Sequence, residues 1–115
     1  MQHRYSQQRR FLFAVDCIIF GYDGEDLKLL VIKRGLEPHK GEWSLVGGFV
    51  GEHESAEGAA IRVLKELTGL DGIYMEQMRG FSEPERDTLE RTVSIAFFAS
   101  AGMVDAIRFN SSASR

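Results

Sequence analysis

One cysteine in 115 residues, Cys17, excludes an internal disulfide and fits a reducing, cytoplasmic setting. Set inside the apolar run 11–20, it reads as a small buried side chain. No apolar run approaches the roughly 20 residues that a spanning helix needs, so no membrane association is expected. No secretory leader is expected either, because the basic start MQHRYSQQRR leads into FLFAVDCIIF, which Asp16 interrupts. Charge of one sign is also lacking. A formal net charge of -3 gives no general argument for nucleic acid or an anionic membrane as partner. Repeats and low-complexity segments are missing.

What is present suits one globular domain. The length leaves no room for two, and 43% hydrophobic with 27% charged residues supports a core inside a charged surface. Residues 1–10 are polar and basic and read as a frayed terminus. Residues 11–20 are β-branched and aromatic, which predicts a central strand. A turn over 21–26 leads to a returning strand at 27–33, LKLLVIK. A loop follows at 34–42, with Pro38 and Gly41 as breakers, and a strand-like run at 43–50 ends past the pair Gly47-Gly48. Later strands are predicted over 73–80 and 92–100, separated by the charged loop FSEPERDTLER.

The stretch GGFVGEHESAEGAAIRVLKELTGL, residues 47–70, carries most of the chemistry. Ser55 stands where an N-cap hydroxyl accepts from the free amides of a first helical turn. Gly58 replaces the glutamate that would complete a capping box. Gly69 offers the left-handed residue that ends a helix. Between these marks Ala56, Ala59, Ala60, Val63, Leu64 and Leu67 recur at helical spacing, so a helix is predicted over 56–68.

This stretch resembles the Nudix box. Gly48, Glu54, Arg62, Leu64, Glu66, Gly69 and Leu70 fall in its register. Val63 and Leu67 stand where the family places metal-binding glutamates, and Val46 stands where a proline usually precedes the glycines. The likeness continues through DCIIFGYDGEDLKLLVIKR, GEWSLVGGF and the RD...R loop with VSIAFFA. It is similar to the branch that holds ADP-ribose pyrophosphatases and Nudix-related transcriptional regulators of NAD metabolism. The resemblance implies an α/β fold, a Nudix-type α/β/α sandwich with a mixed sheet. The domain is expected over 11–100, with an irregular tail at 101–115 that does not read as the second, C-terminal helix. The chain is then a fragment, or stops differently from its relatives, and a sheet left uncovered would expose Phe97 or Phe98.

Nudix enzymes cut diphosphates linked to nucleosides with Mg²⁺, which wants carboxylate oxygens. Helix offsets of three and four residues place Val63, Glu66 and Leu67 together, so one carboxylate of three remains. The resemblance therefore implies Glu66 as residual catalytic group, supported by Arg62, with Glu66 and Glu54 as the remaining Mg²⁺ ligands. Taken alone, Glu66 reads as a solvated charge paired with Arg62, and Glu54 as a support for the loop. Arg86 and Arg91 suit bidentate contact with phosphate, although a solvated charged loop explains them equally well. Gly47 and Gly48 border the same site and are most simply explained by backbone geometry.

The leading reading is a binding module. It would sense an ADP-ribose-like nucleoside diphosphate as the sensor part of a transcriptional regulator, with hydrolysis weak or lost. A homodimer is compatible with it, and DNA would be reached only through a winged-helix region of a longer relative. The alternatives are a Mg²⁺-dependent Nudix hydrolase cleaving ADP-ribose or another nucleoside diphosphate derivative, and a truncated fold without function.

Overall fold

The computed structural model describes residues 2–22, 24–34, 40–84 and 90–101. Its organising element is β1, Leu12–Tyr22, eleven residues of alternating burial. The odd positions Val15, Cys17 and Ile19 are fully buried, as a strand with one face on a core requires. Strand β7, Thr92–Ala101, runs parallel to β1 along one edge, with Val15 opposite Ile95 and Cys17 opposite Phe97. Strand β6, Glu76–Phe81, adds antiparallel to β7 with a register shift between Gln77 and Arg79. The sheet is therefore mixed, as expected.

The other edge of β1 is shared by two short strands. Strand β5, Val46–Phe49, pairs with Ala14–Cys17, and β2, Leu27–Leu29, pairs with Phe20–Tyr22. This sharing corrects two expectations. The returning strand expected over 27–33 cannot continue along β1, because Val46 already occupies the place beside Cys17. After the bond from the Leu30 amide to the Ile19 carbonyl at 2.8 Å, the chain leaves the sheet. Strand β3, Ile32–Lys33, then pairs with β4, Trp43–Ser44, in a separate two-stranded ladder. The single strand expected over 43–50 is likewise two strands in two sheets. The strand expected from residue 73 begins only at Glu76, after Met75 has turned into the core.

Helix α2, Ala56–Thr68, matches the predicted span. Ser55 Oγ accepts from the Gly58 amide at 3.0 Å, and Gly69 adopts φ 78° and donates its amide to the Lys65 carbonyl at 2.8 Å. Ala59, Ala60, Val63 and Leu64 are buried against the sheet, and Cys17 Sγ reaches the Ala60 carbonyl at 3.6 Å. Phe97 joins this core at 2% exposure, whereas Phe98, on the opposite face of the sheet, is 38% exposed. Within the N-terminal segment, α1, Gln2–Ser6, forms one short helix and is followed by turns at Gln7 and Gln8. The expected lack of a second, C-terminal helix concerns residues 102–115, outside the described residues. Among the described residues no helix is long and apolar enough to cross a membrane.

Candidate functional site

The loop between β5 and α2 is held by one carboxylate. Glu54 Oε1 accepts from the Gly51 amide at 2.7 Å, three residues back, and so closes the loop on itself. The same oxygen accepts from Arg62 Nη2 at 2.6 Å, while Oε2 accepts from Arg62 Nε at 3.0 Å. This is a two-pronged guanidinium–carboxylate pair, the strongest geometry open to these groups. Arg62 Nη2 also donates to the Phe49 carbonyl at 2.8 Å, and Nη1 donates to Glu66 Oε2 at 3.2 Å. One arginine thus joins the end of β5, the loop and the exposed edge of α2. A depression of about 350 Å³ lies here, lined by Gly51, His53, Glu54 and Arg62.

The electrostatics follow from that contact. The Arg62 hydrogen bond, with the Gly51 amide adding to it, holds the Glu54 carboxyl down at about 2 from an ordinary 4.5. The Arg62 guanidinium is pushed up in turn, chiefly by its bond to Glu54. Both groups therefore remain ionised across the physiological range.

The positions that resemble metal ligands have a different environment. Val63 is 4% exposed and belongs to the core, and Leu67 packs against that core while partly exposed. Glu66, expected on one face with them, stands outward with 60% of its side chain exposed. The helix turns by about 100° per residue, so neighbours in the box diverge. Gly48 makes the burial of Val63 possible. A Cβ on Gly48 would lie 2.8 Å from Val63 Cγ2, so only glycine lets the strand approach the helix this closely. Burial of a valine side chain contributes roughly 1.5–3 kcal/mol. Gly47 is as constrained, since a Cβ there would meet Asp16 Oδ1 at 2.6 Å.

These residues do not suit a divalent cation held by a carboxylate cluster. Among the described residues no group of three His, Cys, Asp or Glu side chains converges. Glu54 is taken up at both oxygens by Arg62, and two of the three family ligand positions are aliphatic.

The structure brings Glu54 and Glu66 together through Arg62, whereas Gly48 packs on the buried Val63 and Gly47 lies against Asp16. Arg91 lies elsewhere, just before β7, with its guanidinium carbon 4.9 Å from the centre of the Phe11 ring. Arg86 falls outside the described residues. Two participants were not marked by the sequence. His53 lines the depression, and the Phe49 carbonyl anchors Arg62. A backbone carbonyl leaves no trace in residue identity, and His53 sits in a loop without periodicity.

A family model described as the NUDIX domain matches residues 10–110. The chain is 35% identical over 100 residues to the ADPR responsive transcriptional repressor NtrR of Acinetobacter baylyi, covering 85% of this chain and 40% of that protein. It is 42% identical over 84 residues to an ADP-ribose pyrophosphatase of Methanocaldococcus jannaschii, covering 73% and 47%. The chain thus spans less than half the length of these relatives. Among solved structures, it is similar to the NUDIX domain of Shewanella oneidensis NrtR complexed with ADP ribose. That match has a TM-score of 0.79 and 29% identity, and covers 89% of this chain and 71% of the other.

Proposed function

Since the chain belongs to the Nudix family, and two of the ligand positions in its box are packed in or against the core, we propose that it is a nucleotide-sensing domain whose hydrolytic power is weak or lost. Its ligand is an ADP-ribose-like nucleoside diphosphate, and its place is the sensor part of a cytoplasmic transcriptional regulator. The observation that carries this reading is the burial of Val63 beside Gly48, which removes a metal-ligand position from solvent. The likeness to a repressor named for its response to ADP-ribose, and to a Nudix domain in complex with that ligand, supports the choice of ligand.

In this reading Arg86 and Arg91 contact phosphate, while Gly47 and Gly48 shape the floor of the site within a domain at 11–100. DNA is reached only through a winged-helix region of a longer protein, and two copies pair as a homodimer. Arg62 keeps the loop in place and does no chemistry of its own. A second reading is favoured by the 42% identity to a pyrophosphatase. In it, Glu66 is the box carboxylate left to a weak Mg²⁺ site, and the chain slowly hydrolyses ADP-ribose or a related compound.

Titration calorimetry with ADP-ribose, paired with product analysis in millimolar Mg²⁺, separates the two. The sensor reading expects binding with or without Mg²⁺ and negligible AMP formation. Turnover at an ordinary enzymatic rate, about 1–10³ s⁻¹, would establish the hydrolase instead.

A further inference from the structure

We draw no further inference here: the strongest candidate, the apolar patch of Tyr22, Leu27, Leu29 and Phe98 on the sheet face opposite α2, beside the cavity at Tyr74 and Glu76, carries nothing because nothing in the structure shows what covers it.

Discussion

Arg62 and Glu66 stand at the solvent edge of α2, while Val63 and Leu67, one residue further along in each case, turn towards the sheet. All four come from the same box, and their environments are opposite. The outer pair ties the helix to the loop before it, through Glu54 and the Phe49 carbonyl. The inner pair fills space between helix and sheet, where Gly48 has given up its side chain to admit Val63. The contrast teaches that a box can keep the arginine clamp that shapes its loop while its neighbours become packing. Loop shape and metal ligation are thus separable properties of one helix.

The largest effect should come from placing a charge on the inner face. Val63→Glu would bury a carboxylate with no partner, at a cost on the order of 3 kcal/mol or more. Leu67→Glu should cost less, because that side chain reaches solvent. Urea unfolding of both variants checks the order. Equal losses would mean that Val63 is not the core residue its burial indicates.

Gly48→Ala should come next. The added methyl group would meet Val63 Cγ2 at 2.8 Å, and a β-branched side chain has few rotamers with which to retreat. Overpacking of this kind costs about 1–3 kcal/mol. Combining it with Val63→Ala should recover part of that loss, a coupling visible in a double-mutant cycle. Purely additive losses would deny the contact.

The outer face should respond to pH. The folded state holds Glu54 at about 2 against an ordinary 4.5. Its contribution is therefore complete above 4.5 and fades as the pH falls towards 2. Arg62→Ala should lower the melting temperature at neutral pH, and the gap to wild type should narrow between pH 4.5 and 2. A gap independent of pH would show that Arg62 acts by packing alone.

The smallest expected effect lies beneath the inner face. Burial, reinforced by the Asp16 charge, pushes the Cys17 thiol up to about 12. Alkylation by iodoacetamide at pH 8 should thus be far slower in the folded chain than in urea. Equal rates would mean that α2 does not cover Cys17.

Much of this was written in local pattern. The span of α2 follows from apolar spacing between Ser55 and Gly69, and both caps form as their chemistry requires. The central position of β1 follows from its β-branched run, and the place of Cys17 in the core from its apolar neighbours. The pairing of Arg62 with Glu66 follows from helical spacing. The same spacing misled where it grouped Glu66 with Val63, because a shared stripe still has a wet edge and a dry centre.

Tertiary structure alone decided the rest. The strands expected over 27–33 and 43–50 each divide because two segments compete for one edge of β1, and a sheet edge accepts one partner at each position. The bond from Glu54 to Arg62 spans eight residues and a loop, so no helical or strand period announces it. Sequence determines which faces are apolar through the periods of helix and strand. Which apolar residues are covered depends on the packing of elements distant along the chain, and local propensity carries no record of it.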